Sequence, residues 1–163
     1  MRRLLLGLLA VATTLTIFTI NRASNEADAA PIEHCLVTVI ATLDDGQMLL
    51  SDPICVDDAT EISAMLGDVT VGESAAASGG TAYHYDGSFE TGSSLTVAGA
   101  SCTGNFYYLP SSWANRINST AYHGGSCSRI RHYDWDAGRY RSTWPTGDLY
   151  SFRNRADAIY YDY

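Results

Sequence analysis

The sequence predicts a mainly β protein: a double Greek-key sandwich preceded by a small hairpin-plus-helix segment. Three observations carry this. Short apolar stretches of strand period are separated by Gly, Asn and Asp turn signals, and a helical stripe occurs only once. A motif in the second half of the chain occurs twice, about 40 residues apart. Four cysteines, Cys35, Cys55, Cys102 and Cys127, form an even set suited to two disulfides.

The first residues bear on compartment. Arg2 and Arg3 precede an uncharged apolar run from Leu4 to Ile20, and a polar stretch leads to Ala27-Asp28-Ala29-Ala30-Pro31. A positive start, an apolar middle and small residues at a cleavage site make a secretory signal over residues 1–29. Its removal leaves about 134 of the 163 residues, an ordinary length for one domain with a small appendage. In an exported chain the cysteines read as disulfides, and sequence order favours Cys35–Cys55 and Cys102–Cys127 among the three connectivities. Zinc is the rival reading, but no Cys-x-x-Cys or His-x-x-x-His spacing supports it.

Charge and aromatic content divide the mature chain. Lysine is absent, and no arginine lies between Arg22 and Arg116, so residues 30–115 carry acids only. The remainder holds seven arginines against five aspartates. The net charge of −8 repels phosphate backbones and argues against a nucleic-acid partner. Apart from histidine, no aromatic ring occurs from Pro31 to Ala82, and all eleven tyrosines and three tryptophans follow. The expected organisation is an acidic hairpin-and-helix segment over 30–71, a Gly/Ser/Ala-rich linker over 72–82 and a ring-rich domain over 83–163.

In the first segment Cys35 to Leu43 is β-branched and apolar, hence a strand. Asp44-Asp45-Gly46 is a turn, and Gln47 to Leu50 the return strand. Asp58 followed by Glu61 matches a capping box, with Ile62, Met65 and Leu66 as the apolar stripe and Gly67 as the stop. This piece cannot bury much alone, so it leans on the second segment or is a removable pro-segment. Beyond it, Tyr83, Tyr85 and Phe89 precede Gly92, Ser94-Leu95-Thr96-Val97 alternates, and Gly104-Asn105 interrupts the chain before Phe106-Tyr107-Tyr108-Leu109.

The repeat is Trp113-Ala114-Asn115-Arg116-Ile117-Asn118-Ser119 against Phe152-Arg153-Asn154-Arg155-Ala156-Asp157-Ala158, its asparagines 39 positions apart. Tyr85-Asp86-Gly87 and Tyr133-Asp134-Trp135 lie further back in each copy. A four-strand unit occurring twice is what a double Greek-key sandwich produces. On these residues the second segment resembles the βγ-crystallin superfamily, especially its small secreted bacterial members, which include metalloproteinase inhibitors. The chain departs from the family pattern: Phe89 stands three residues before Gly92 where a second aromatic normally stands two before, and the second copy has a shorter turn. The family's calcium loop reads acid or Asn twice, two free positions, Ser or Thr, then Ser. Here the first positions are Ala114 and Arg153, leaving Asn115, Asn118, Asn154 and Asp157 as oxygen donors for Ca²⁺, with local hydrogen bonding as their alternative role.

The resemblance implies a non-enzymatic, monomeric binding protein, most specifically a peptidase inhibitor. A secreted protease is its expected partner, and Tyr122, His123, Gly124, Gly125 and Ser126 beside Cys127 are the candidate inhibitory loop. Rigidity from a disulfide suits that role. Carbohydrate binding competes, because alternation in Phe106-Tyr107-Tyr108-Leu109 sends one ring of each neighbouring pair outward, and Trp113, Trp135, Trp144, Tyr160 and Tyr161 add further rings. Apart from calcium, no cofactor is expected. Once the signal is removed, no membrane partner is expected either. A secreted hydrolase is the third reading: Ser126, Asp134 and one of His34, His84, His123 and His132 make a triad on paper, but no Gly-x-Ser-x-Gly elbow is present. Asn118-Ser119-Thr120 also matches a glycosylation acceptor and is assigned no role.

Overall fold

The first strand, β1 (His34–Thr42), lies in a sheet with residues from the far side of the supposed linker. The computed structural model describes residues 31–68, 80–123, 125 and 127–162; the expected signal peptide and residues 72–79 of the expected linker lie outside them. β1 turns through Gly46, at φ +86°, into β2 (Met48–Leu50), and β3 (Ile54–Val56) pairs back on the start of β1. Leu43 N donates to Gln47 O and Gly46 N to Leu43 O, so Asp44-Asp45-Gly46 forms the expected turn.

Helix α1 (Ala59–Asp68) follows. Asp58 Oδ1 accepts from Thr60 N at 2.8 Å, so Asp58 caps the helix as expected but through its second residue rather than through a box with Glu61, and hydrogen bonding from Thr60 holds the Asp58 carboxyl below its ordinary range. Ile62 is buried, Met65 and Leu66 are half-buried, and the helix runs one residue past Gly67.

Eight strands follow among the described residues: β4 (Gly80–Tyr85), β5 (Ser94–Ala100), β6 (Asn105–Tyr108), β7 (Ser119–His123), β8 (Arg129–Asp134), β9 (Arg139–Thr143), β10 (Gly147–Asp148) and β11 (Ala158–Asp162). One sheet runs β10-β7-β4-β5-β1-β2, with β3 also paired to β1; the second runs β6-β11-β8-β9. Each quartet, β4 to β7 and β8 to β11, lends its third strand to the other quartet's sheet, and its fourth strand lies beside its first.

The principal core includes Leu95, Tyr107, Trp113, Ile130, Ile159 and Tyr161. The N-terminal segment belongs to it: Val37 and Val39 of β1 and Met48 of β2 are buried in the same cluster. β1 lies parallel to β5, from His34 opposite Ser94 to Thr38 opposite Ala98. Residues 31–163 therefore form one compact unit, and the boundary expected between 30–71 and 83–163 is not a domain boundary. Gly80 to Ala82, expected as the end of the linker, open β4 instead. Glycine is needed at residue 80 for closeness, since a Cβ there would lie 2.3 Å from the Tyr122 ring.

The two disulfides are those favoured by sequence order. Cys35–Cys55 closes a separation of 20 residues across β1 and β3, and Cys102–Cys127 one of 25 across the connections flanking β6 and β7. Each restricts the unfolded chain by about 3 kcal/mol in the chain-entropy account. Among the described residues no helix is long and apolar enough to cross a membrane.

Candidate functional site

Alternation along the second sheet sorts its side chains. Tyr107, Ile130, His132, Ile159 and Tyr161 point into the core, so their neighbours Phe106, Tyr108, Arg131, Tyr133 and Tyr160 face outward. Cross-strand register places these outward rings together: Tyr160 opposes Phe106 on one side and Arg131 on the other, and Tyr133 opposes Tyr140.

The rings form one connected layer. Phe106 and Tyr160 stack at 4.8 Å between centroids, Tyr160 meets Tyr133 at 4.7 Å, and Tyr133 stacks on Tyr140 at 5.1 Å and Trp135 at 5.3 Å. Tyr108 closes the group by contacting Phe106 and Trp135. Tyr108, Trp135 and Tyr140 are 51 %, 44 % and 55 % exposed. Arg131 lies over the Tyr140 ring at 5.8 Å and pairs with Asp162, so the layer has an ionic margin. The alternation expected along Phe106-Tyr107-Tyr108 is met, with Tyr107 inward and its two neighbours outward. Of the other rings considered for sugar stacking, Trp113 is buried and Trp144, 71 % exposed, lies in the loop after β9.

The predicted metal-ligating residues occupy two loops that face each other. Asn115 N donates to Ala156 O at 2.8 Å and Asn154 N to Ile117 O at 3.1 Å, each loop bonding the other in the same way. Asn118 N and Asp157 N donate to Tyr85 O and Tyr133 O, again as equivalents. Asn115 and Asn154 both sit in the left-handed region, at φ +58° and +55°, where Asn is tolerated. Trp113 N and Phe152 N close corresponding turns on Pro110 O and Leu149 O, although Trp113 is buried and Phe152 half-buried.

The donor set fits a calcium ion in part. Asn118 Oδ1 is a buried acceptor without a partner, but Asn118 Nδ2 donates to Asp86 O, and Asp157 Oδ2 accepts from Trp135 N at 3.1 Å. Asn115 and Asn154 are exposed. Beside the loops the nearby acids already face arginine. Arg116 donates to Asp86 Oδ2 through Nε at 3.1 Å and Nη2 at 2.9 Å, and Arg153 contacts both oxygens of Asp148 at 2.7 and 2.8 Å, holding that carboxyl below its ordinary range. Glu33, Cys35 and Cys55 also come together, but both sulfurs are in a disulfide and cannot ligate as thiolates.

The candidate inhibitory loop is partly strand. Tyr122 and His123 end β7, and Tyr122 is buried with its hydroxyl accepting from Gly80 N at 3.0 Å. His123 is exposed and meets Tyr83 edge-on at 5.5 Å, and Gly125 is exposed, while Gly124 and Ser126 lie outside the described residues. Strand pairing of Tyr122 with Ala82 fixes its inward direction, which its position before two glycines did not reveal.

The histidines are a signal that motif reading missed, for the repeat begins one residue earlier than Tyr85 and Tyr133: it reads His84-Tyr85-Asp86 and His132-Tyr133-Asp134. The two rings meet in the core with centroids 5.8 Å apart. Thr120 Oγ1 donates its proton to Tyr83 O, so at 3.0 Å it accepts from His84 Nδ1. Nε2 is thereby left with its lone pair to accept from the Tyr107 hydroxyl at 2.7 Å, while the Tyr161 hydroxyl, 3.0 Å from both, donates to Tyr107. Burial pushes His84 well below the ordinary histidine range, helped by His132, and pushes His132 down to about 3. Neither nitrogen of His132 has a hydrogen-bonding partner among the described residues; the Arg141 backbone lies near enough to oppose the shift but outside bonding geometry. Asp134, two residues along, instead accepts from Ala137 N. A Ser–His contact does occur elsewhere, His34 Nδ1 to Ser94 Oγ at 2.8 Å, with no acid hydrogen-bonded to His34 among the described residues. Sixty residues separate that pair, and no local motif announces it.

No family model, curated protein or solved structure matches this chain. What it does must be argued from its surfaces.

Proposed function

We propose that this is an exported, non-enzymatic binding protein of βγ-crystallin-like build, and that it grips a polysaccharide with the outer face of its second sheet. The observation that carries the reading is the connected layer of six rings, three of them well exposed. Sugars present flat C–H faces edged with hydroxyls. Tyrosine and tryptophan answer both, with an apolar ring for the face and a polar tip for the rim.

The exchange of third strands between quartets and the equivalent Asn-Arg loops support the βγ-crystallin reading. Two disulfides and the character of residues 1–29 support export. Affinity electrophoresis through gels containing neutral xylan, glucomannan or hydroxyethylcellulose tests the function. The protein should be retarded by at least one of them, and Trp135→Ala with Tyr108→Ala should weaken retention about tenfold. Unaltered migration in all three gels removes the reading.

Peptidase inhibition is the second reading, favoured by the Cys102–Cys127 disulfide, which pins the connection after His123 at its root. Equimolar protein should then abolish the activity of a secreted metallopeptidase; full residual activity across a small panel discards it.

A further inference from the structure

The two copies of the repeat treat one aspartate differently. In the first, Asp86 accepts from Ser93 N through Oδ1 and is closed by Arg116 through Oδ2, one acid with one base in direct contact. In the second, Asp134 accepts from Ala137 N through Oδ1, but its Oδ2 lies 3.9 Å from both Arg139 Nη2 and Arg155 Nη1. Two guanidiniums share one carboxylate, and neither makes a hydrogen bond among the described residues. The side chains of Arg139 and Arg155 are 62 % and 47 % exposed, whereas that of Asp134 is 12 % exposed beneath them. One positive charge and a set of planar N–H donors therefore remain free.

These donors line a groove. Gly138, Arg139, Tyr140, Ser151, Phe152 and Arg155 enclose an open volume of about 540 Å³, within the range of small-ligand sites. It has no acid among its lining residues, in a protein whose residues 30–115 carry acids and no bases. Tyr140 belongs both to this groove and to the ring layer, whereas Arg139, opposite Asp134, points to the other side of β9; a chain crossing the rings therefore reaches the groove by rounding that edge strand.

We propose that the Arg139–Arg155 groove receives the carboxylate of a uronic acid residue, so that the preferred ligand is an acidic polysaccharide. This rests on the polysaccharide reading of the ring face and narrows it. A guanidinium fork matches a carboxylate in two-point geometry, and the sugar ring carrying it would lie against Tyr140 and Phe152. A lysine-free chain makes such contacts only through arginine.

Affinity electrophoresis and calorimetry with polygalacturonate, dextran sulfate and neutral xylan test both layers of the argument. Polygalacturonate should bind at least tenfold more tightly than xylan, and this preference should weaken several-fold in 0.5 M salt, as screening requires. Arg139→Gln with Arg155→Gln should reduce polygalacturonate to the level of xylan while the protein melts cooperatively as before. An unchanged preference in that double variant overturns the groove and leaves the ring face standing. Dextran sulfate binding as tightly as polygalacturonate would mean general attraction to polyanions, and would overturn the assignment to a carboxylate. Loss of xylan and polygalacturonate binding together in Trp135→Ala is the expected signature of the shared ring face; retention of both would remove the ring face itself.

Discussion

The two sheets share one core yet present opposite outer faces. Helix α1 lies over the first, where Ile62 closes against Leu36 and Ala98 with Met65, Leu66 and Val56 around them. β5 is in consequence buried along its whole length, Ser94 to Ala100. Among the described residues no element covers the six rings of the second. A covered face is stability and a bare one is opportunity: large apolar surface left in water without structural need marks an interaction site.

The largest expected effect lies between the sheets. His84 comes from the first and is held by the Thr120 and Tyr107 hydroxyls, while its counterpart His132 comes from the second and has no such partner among the described residues. His132 titrates near 3 in the folded protein against about 6.5 unfolded. The unfolded chain therefore takes up the proton first as pH falls. Stability from this group is complete above about pH 6.5 and is lost towards pH 3, by about 1.4 kcal/mol per pH unit. Urea melts at pH 7, 6, 5 and 4 should fall steeply, and His132→Leu should flatten the slope by about one proton. An identical slope in the variant would show that His132 is not held neutral by burial in the folded protein.

A smaller effect separates the outer faces. Ile62→Ala on the covered side should cost about 2–4 kcal/mol in denaturant, because it empties a buried contact between helix and sheet. Tyr140→Ala on the bare side should cost about 1 kcal/mol or less, since it removes an exposed ring and one stacking contact. Equal losses would mean that the ring layer is structural after all, and the proposed binding face would lose its main argument.

What the sequence disclosed follows how local each signal is. The Asp44-Asp45-Gly46 turn, the stripe Ile62-Met65-Leu66 and the alternation of rings along Phe106-Tyr107-Tyr108 depend on neighbours a few positions away, and each was legible. So was the repeat, because two loops in the same backbone conformation kept similar residues. The docking of β1 beside β5 was not, for a parallel pair leaves no turn between its members, and the absence of rings in residues 31–82 suggested separation instead. Composition announced an abundance of aromatics without telling Trp113, sealed in the core, from Trp144, which is exposed. The Arg139–Arg155 groove needed register: Arg139 opposes Asp134 across β8 and β9, while Arg155 arrives from a separate loop.

The place of β1 bears on how the molecule is made. Its hairpin and the Cys35–Cys55 bridge can close from local sequence alone, but the neighbour that seals Val37 is β5, about sixty residues later. During synthesis the early piece must wait with apolar side chains uncovered until that strand arrives. Holding factors that recognise short aliphatic stretches would find their target in this interval, and their window shuts when Ser94–Ala100 slots in alongside.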